Sequence, residues 1–213
     1  MVVMTLSIEE NIMESFEFAK EGLVGEWMRW LLLIVLSIIP ILNFITYGYI
    51  VAIYRGGEKA PELSDWWNML IDGVKLFIIG LVYMLIPLCI LVVAFVLGLA
   101  EGSAFGIVIG IGIAFFALLL ACFFGFIGVV GCIRFAKLED VMEAFNISAI
   151  LALISEIGWG HYLLSYLVFL AICCIIAVVL NIIPIIGALL FLIVTPVLLI
   201  WQGKFYENLY SLA

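Results

Sequence analysis

The stretch LSIIPILNFITYGYIVAIYRG, residues 36–56, places a proline inside a long apolar segment, and LNIIPIIGALLFLIVTPVLLIWQG, residues 180–203, repeats the arrangement. Proline has no N–H group and disfavours a continuing helix, so Pro40 and Pro184 are predicted to bend or break their helices. Asn43 and Asn181 flank the two bends, where their side chains can satisfy freed backbone groups. Whether each proline bends or ends its helix therefore decides the path of the backbone.

The composition predicts that lipid surrounds the chain. Of its 213 residues, 68% are hydrophobic and 11% are charged, whereas soluble domains are about 45–50% apolar and about 25% charged. One water-soluble core of this size cannot bury so much apolar surface. Because the apolar runs are continuous and do not alternate, helices are favoured over a barrel. The sequence therefore predicts an all-α integral membrane protein whose first partner is the lipid bilayer.

The chain is predicted to form a single membrane domain, residues 1–213, with about four full spans. Polar stretches and the approximately 20 residues that a span requires divide it into segments. These are amphipathic helices at residues 7–21 and 138–157, an interfacial helix at residues 61–73, a central pair of spans at residues 76–133, a proline-bent pair of spans at residues 162–201, and a proline-bent segment at residues 27–54.

Two models are open for residues 27–54: one long kinked span, or a re-entrant hairpin that turns back at Pro40. Short cytoplasmic loops collect lysine and arginine. A hairpin places all eight basic residues on one face, whereas a single crossing places Lys20 and Arg29 opposite the other six. Charge therefore favours the hairpin, with both termini on the cytoplasmic side of the cell membrane. Residues 7–56 and 138–203 then form a parallel internal repeat.

The first amphipathic helix begins with a capping box of Ser7 and Glu10. Helical spacing places five less polar residues on one face, opposite five glutamates: Ile8, Ile12, Met13, Phe16 and Ala19. We expect this face to contact the membrane interface or the protein's own helices. The acidic face is a candidate surface for a cytoplasmic protein partner.

Several function classes are disfavoured by charge and residue content. The net charge of −8 argues against a nucleic-acid partner, which requires a basic surface. The five cysteines lie in apolar runs without C-x-x-C spacing, and His161 is the only histidine, so we predict no metal site and no cofactor. His161 is expected to anchor the interface. No residue set forms a catalytic signature, and we do not expect an enzyme.

Three groups of residues are candidate sites. The first could line a polar path or satisfy bent backbone, and the second reading is favoured: Asn43, Thr46, Asn181 and Thr195, with Pro40 and Pro184. The second could bind a partner or anchor the loop at the interface: Trp66, Trp67, Asp65 and Asp72. The third forms a stripe of small residues for close helix packing: Gly106, Gly110 and Ala114.

One family pattern covers almost the whole chain. Pro40, Gly48-Tyr49, Pro61, Trp66, Asp72-Gly73, Tyr83 and Pro87 are its first part, and FAKLEDVMEAFN, IIPIIG and GKFYENLY, with Gly203 and Tyr206, are its second. The chain in these positions resembles the mainly archaeal membrane family called domain of unknown function 4013. It departs from the pattern at Asn43, where Pro-x-x-Gly is expected, whereas Pro184 and Gly187 keep it. The resemblance implies membrane location and archaeal origin, but no activity.

Two functions follow as hypotheses. An uncharged interior and short hairpins favour a pore or passive conductor of small solutes or ions, formed by a homo-oligomer. The alternative is a non-catalytic membrane scaffold or assembly subunit, whose acidic cytoplasmic helices recruit partners. The spans contain no ionisable residue at their centres, which disfavours a proton- or sodium-coupled transporter within one subunit.

Overall fold

The computed structural model describes residues 6–100, 103–182 and 184–213, with Leu99, Ala100 and Pro184 described by their backbone only. This part of the chain is helical and contains no β-strand. Its elements in chain order are α1 (Ile8–Leu23), α2 (Trp27–Ile38), α3 (Asn43–Tyr54), α4 (Trp66–Ala100), α5 (Ala104–Leu138), a 3₁₀ helix (Val141–Phe145), α6 (Ile147–Ile157), α7 (Trp159–Asn181) and α8 (Pro184–Tyr210).

Four helices in the described ranges, α4, α5, α7 and α8, are long and apolar enough to cross a membrane. The prediction of an all-α fold is therefore confirmed for the described residues, and four of its helices are able to span a membrane. The structure places two boundaries differently from our prediction. Residues 61–73 do not form a separate interfacial helix, because α4 begins at Trp66 and continues through Gly73 without a break. Residues 138–157 are divided at Asn146, which ends the 3₁₀ helix and caps α6 by accepting a hydrogen bond from the Ala149 N–H.

The helical structure is interrupted at Pro40, between α2 and α3. Ile39 ends α2 in an extended conformation, with φ −92° and ψ 114°, as is usual for a residue that precedes proline. The Arg29 guanidinium, at the start of α2, lies beside Tyr49 in α3. Pro184 is instead the first residue of α8, a position where its missing N–H costs nothing.

Helix α1 packs along the end of α8 through a small and polar face. The Asn11 side chain donates to the Phe205 carbonyl (3.1 Å) and accepts from the Asn208 amide (3.0 Å), and the Trp201 indole donates to the Ile12 carbonyl (3.1 Å). Of the predicted face, Met13 is exposed, whereas Phe16 is partly exposed and packs edge-on against Trp201 of α8, with 5.2 Å between ring centroids. Asn11 and Ser15 are buried, because close contact with α8 requires small groups and paired amides. The predicted capping box is present.

Helices α3 and α4 touch at two glycines. A Cβ atom at Gly48 would overlap the Met69 carbonyl group, and one at Gly73 would overlap the Phe44 carbonyl group. The two backbones are therefore in direct contact, which only glycine permits. This crossing fixes α3 onto α4.

The core lies at one end of the long helices. We call this region the packed end: α1, α3, the 3₁₀ helix, α6, and the adjoining ends of α4, α5, α7 and α8. It holds the large buried side chains, among them Tyr49, Phe135, Tyr162, Phe169 and Phe205. The remaining parts of α4, α5, α7 and α8, which we call the far halves, bury mainly small residues and expose broad apolar faces. Such faces suit lipid contact.

Candidate functional site

The residues of the predicted polar path do not come together in the structure. The Asn181 amide donates to the Ala177 carbonyl (2.7 Å), and the Thr195 hydroxyl donates to the Phe191 carbonyl (2.7 Å), so both side chains bond to their own helix. Thr46 is buried in α3 with no partner for its hydroxyl among the described residues. Asn43 begins α3, and its backbone N–H donates to the Ile39 carbonyl (2.8 Å). Of the four, Asn181 and Thr195 therefore behave as the reading in which polar side chains satisfy local backbone predicts.

The tryptophan stretch divides into an exposed and a buried part. Trp67 is exposed, and the half-exposed Trp66 indole donates to the Leu63 carbonyl (2.9 Å). Asp65 accepts hydrogen bonds from Asn68 at the start of α4. Asp72 lies apart from them in a buried ion pair, so it cannot join the other three on a common surface. A partner role, if the stretch has one, is confined to the two tryptophans and Asp65.

The predicted stripe of small residues faces α4. Gly106 and Gly110 are buried, and a Cβ at Gly110 would lie 3.0 Å from the Ala94 carbonyl oxygen and 3.2 Å from Gly98. Ala114 lines the same groove and is partly buried. The contact is within one subunit, between the far halves of α4 and α5. Its geometry is that of close helix packing through glycine.

Two ion-pair clusters close the packed end. Asp72 pairs with Arg55 (2.7 Å) and Lys75 (3.4 Å). Glu207, whose side chain is only 6% exposed, pairs with Lys137 (2.9 Å) and Lys204 (2.8 Å). Each carboxylate therefore meets two cations, and since Glu139 also lies 3.6 Å from Arg55, the two clusters together hold four cations and three carboxylates.

Buried tyrosines lie directly beside these clusters. Tyr54, Tyr83, Tyr162, Tyr166 and Tyr206 come from four different helices, and all are less than one tenth exposed. The Tyr83 hydroxyl donates to the Ala144 carbonyl (2.5 Å), and the Tyr162 hydroxyl donates to the Phe126 carbonyl (2.7 Å). Such bonds tie neighbouring elements together at the packed end, as buried hydroxyls require a partner.

An apolar cavity of about 510 Å³ opens between α3, α4 and α5 and reaches Gln202 of α8. Its walls are mainly aliphatic and aromatic, with Phe77 and Leu81 on α4 and Phe124 on α5. Tyr54, Cys132 and Gln202 are among the few polar groups that border it. The volume falls within the approximately 300–1,000 Å³ of small-molecule sites, and the apolar lining is typical of them.

One known protein family matches most of the chain. The family described as "Protein of unknown function (DUF4013)" matches residues 32–185. The chain belongs to this family. No curated protein and no solved structure matches the chain.

Membership of this family confirms the resemblance, and the structure shows why two of its motif residues are informative. Tyr83 and Gly73 belong to the family pattern, which gives them no role. In the structure, the Tyr83 hydroxyl donates to the Ala144 carbonyl, and Gly73 contacts the α3 backbone directly. Reasoning from the residues alone missed the tyrosine group and Glu207. Only the i, i+4 spacing of Tyr162 and Tyr166 could have suggested that two tyrosines share a face.

The family assignment names no metal or cofactor, and the described residues contain no group of three or more histidine, cysteine, aspartate or glutamate side chains that could hold a metal ion. His161 lies near the start of α7, partly buried, and its Nε2 has no hydrogen-bond partner in the described part of the chain. Its role as an interfacial anchor stays a prediction.

The pairing of Glu143 with Arg134 gives a pH-dependent contribution to stability. Hydrogen bonds from Arg134, and then from Asn146, hold the pKa of the Glu143 carboxyl below its ordinary value of 4.5. Because this pKa is lower in the folded than in the unfolded state, the contribution is complete at neutral pH and is lost as the pH falls below the ordinary glutamate range. We expect Glu143→Gln to lower the melting temperature in detergent at about pH 6, and the difference from the wild type to shrink as the pH falls through and below the ordinary glutamate range.

A matched control for this pH effect is Glu62→Gln, which changes an exposed glutamate to glutamine. Its melting temperature should follow that of the wild type at every pH. A constant difference between Glu143→Gln and the wild type across the whole range would contradict the assignment to the Arg134–Glu143 pair.

Proposed function

We propose that this protein is a non-catalytic membrane scaffold that binds a basic partner protein through the outward face of α1. The observation that carries the proposal is the attachment of α1 to α8. One face of the helix is bonded to α8 through the Asn11 side chain and the Ile12 carbonyl, and the other presents Glu9, Glu14 and Glu17 to solvent. Because α1 is already held in place, its acidic surface can bind a positively charged partner without the loss of conformational entropy that ordering a flexible segment would require.

Exposed apolar side chains lie among these acids. Met13 is 67% exposed, and Phe16 is 44% exposed although one edge of its ring packs against Trp201 of α8. Apolar anchors surrounded by charge are typical of the energetic centre and rim of protein interfaces. The charges would set the rate and selectivity of binding, and Met13 and Phe16 would supply buried area.

The scaffold proposal is tested by reversing the charge of the α1 face in cells that produce the protein naturally. Tagged wild type and the variant Glu9→Lys/Glu14→Lys/Glu17→Lys are purified from membranes in mild detergent. We expect one protein to copurify in fixed ratio with the wild type, to be cross-linked at Met13, and to be lost from the variant. The variant should lose the partner because the introduced lysines repel a basic protein, which slows association and weakens the complex.

The matched control is Glu139→Lys/Asp140→Lys/Glu156→Lys, which makes the same change in charge at exposed positions that follow α5 or lie on α6. This variant should keep the copurifying protein. Equal binding by both variants, or no copurifying protein in fixed ratio with the wild type, would contradict the proposal.

A conducting pore is the second candidate function. The absence of charged side chains from the described residues of the far halves supports it, since hydrophobic constrictions can gate. The side chains of Asn181 and Thr195 bond to their own helices, so a polar path would have to form between several subunits. Ion and small-solute flux in liposomes distinguishes the two functions: the scaffold predicts the leak of empty vesicles, and the pore predicts flux that increases with protein content.

We also propose that the packed end faces the cytoplasm and that the α2–α3 segment is a re-entrant hairpin. Every basic residue lies on an element or loop of the packed end or on the start of α2, which fits the preference of cytoplasmic loops for lysine and arginine. In a cysteine-free background, cysteines at Lys20, Lys59 and Lys204 should react with an impermeant thiol reagent from the cytoplasmic side, and a cysteine at Ser103 from the opposite side. Labelling of Lys20 and Lys59 positions from opposite faces would exclude the hairpin.

An internal repeat and a homo-oligomer complete this proposal. The order of two helices, a proline break and a helix is shared by α1–α3 and by α6–α8, with arms of 12 and 12 residues in the first and of 23 and 27 residues in the second. The apolar faces of the far halves offer area for a second copy as well as for lipid. Mass measurement of the protein in detergent tests the oligomer.

A further inference from the structure

The cavity between α3, α4 and α5 is open because of missing side chains on the facing helices. A Cβ at Gly80 would meet no atom within 4 Å, so this glycine leaves space where α4 would otherwise fill the cavity. Opposite it, Gly128 of α5 lies against the Tyr83 ring, which a Cβ added to this glycine would approach to 3.2 Å. Met84 and Val129 extend the apolar wall. The cavity therefore results from the small residues at these positions and not from loose packing in other parts of the molecule.

The position of the cavity indicates where an occupant would come from. Phe77 and Leu81 line it and are also among the exposed apolar residues of α4. These residues belong to a helix that can cross the membrane, so the cavity opens towards the hydrocarbon region. An apolar chain already in the bilayer can enter without crossing water. A hydrocarbon chain of a membrane lipid is therefore the chemistry that fits the walls.

The end of the cavity nearest the packed end is polar. Tyr54 is only 6% exposed and lines the cavity, and its hydroxyl makes no hydrogen bond to any described residue. Gln202 is exposed on the same rim. Arg55 follows Tyr54 directly, Lys75 precedes the lining residue Leu76, and Lys204 lies two residues after Gln202.

The basic residues beside the rim exceed their acidic partners. Asp72 and Glu207 are each shared by two cations, and Glu139 lies 3.6 Å from Arg55, so four cations meet three carboxylates, and Lys75 and Arg55 remain partly exposed. This excess of positive charge complements a phosphate group, and basic pockets beside membrane helices are suited to anionic headgroups. Tyr54 and Gln202 add neutral donors for phosphate or glycerol oxygens.

We infer that the cavity is a binding site for one anionic phospholipid, with a hydrocarbon chain between Gly80 and Phe124 and the headgroup beside Tyr54, Gln202 and the neighbouring basic residues. The inference does not depend on the scaffold proposal, since it concerns a different surface of the molecule. It assigns the cavity to a structural lipid that fills the space between α3 and α5.

The test is native mass spectrometry of the full chain after delipidation and addition of either phosphatidylglycerol or phosphatidylcholine. Wild type should retain one phosphatidylglycerol and bind phosphatidylcholine about tenfold more weakly, because only the first carries a net negative headgroup. Gly80→Leu should lose the lipid, since the new side chain fills the cavity. Gly112→Leu is the matched control, because a Cβ at this exposed position of α5 also meets no atom within 4 Å.

A second variant keeps the test decisive if Gly80→Leu does not fold. Gln202→Glu adds a negative charge at the exposed rim and leaves the cavity volume nearly unchanged; it should reduce phosphatidylglycerol retention and leave phosphatidylcholine binding as it was. Equal retention by wild type, Gly80→Leu and Gly112→Leu would overturn the site. Equal retention of the two lipids would overturn the headgroup assignment, and a dimer without lipid would assign the cavity to a second copy of the chain.

Discussion

Replacement of Glu207 by glutamine is expected to reduce the free energy of unfolding by about 3 kcal/mol, because it removes the carboxylate that pairs with both Lys137 and Lys204. The lysine side chains are 26% and 18% exposed, so neither can recover full hydration in place. The Ser211 hydroxyl, which also donates to Glu207, would lose a charged acceptor. The change should lower the melting temperature in detergent by roughly 6–12 °C.

The control for Glu207 is Glu139→Gln. Glu139 is also an acid at the packed end, but its side chain is 73% exposed and lies 3.6 Å from Arg55. Exposed pairs contribute between about 0 and about 1 kcal/mol, so this variant should melt close to the wild type. Similar melting temperatures for Glu207→Gln and Glu139→Gln would show that burial of the cluster does not determine its contribution.

Replacement of Gly48 by alanine is expected to destabilise the protein by about 3 kcal/mol, at the upper end of the range for overpacking. The added Cβ would overlap backbone atoms of Met69, and a backbone carbonyl cannot move aside as a flexible side chain can. Separation of α3 from α4 would also open the contact between Gly73 and Phe44. We expect lower yield of monodisperse protein on size exclusion and a clearly lower melting temperature.

Gly112→Ala provides the comparison for Gly48, since both substitutions add one methyl group inside an α-helix. The Gly112 position has open space, and alanine favours helix over glycine by about 1 kcal/mol, so this variant should be unchanged or slightly more stable. If Gly48→Ala is also neutral, the direct backbone contact between α3 and α4 is not required for the fold.

Much of the architecture could be predicted because local rules decide it. The apolar runs, the capping box of Ser7 and Glu10, and the breaks at Pro40 and Pro184 all follow from residues close together in the sequence. Prolines alone would not suffice, because Pro87 and Pro196 lie within continuous helices. Which prolines end a helix depends on how the freed carbonyls are satisfied, and that depends on neighbouring helices.

The contacts of the candidate sites could not be predicted because they join distant parts of the chain. Asn11 looks like a polar interruption in an amphipathic helix, yet its partner is a carbonyl 194 residues further on. Tyr54 and Tyr206 likewise meet the other tyrosines only when four helices assemble. The cavity depends on which way Gly80 faces, and a nearly uniformly apolar helix gives no periodic signal for orientation.

The seam between α1 and α8 has a consequence for biogenesis. Asn11 and Ile12 are synthesised almost two hundred residues before Trp201, Phe205 and Asn208, with which they bond. Chains emerge from the ribosome at about 5–20 residues per second, so α1 waits for tens of seconds or less with its docking face unoccupied. Membrane insertion of the intervening helices must therefore precede closure, and the synthesis of α8 completes the anchoring of α1.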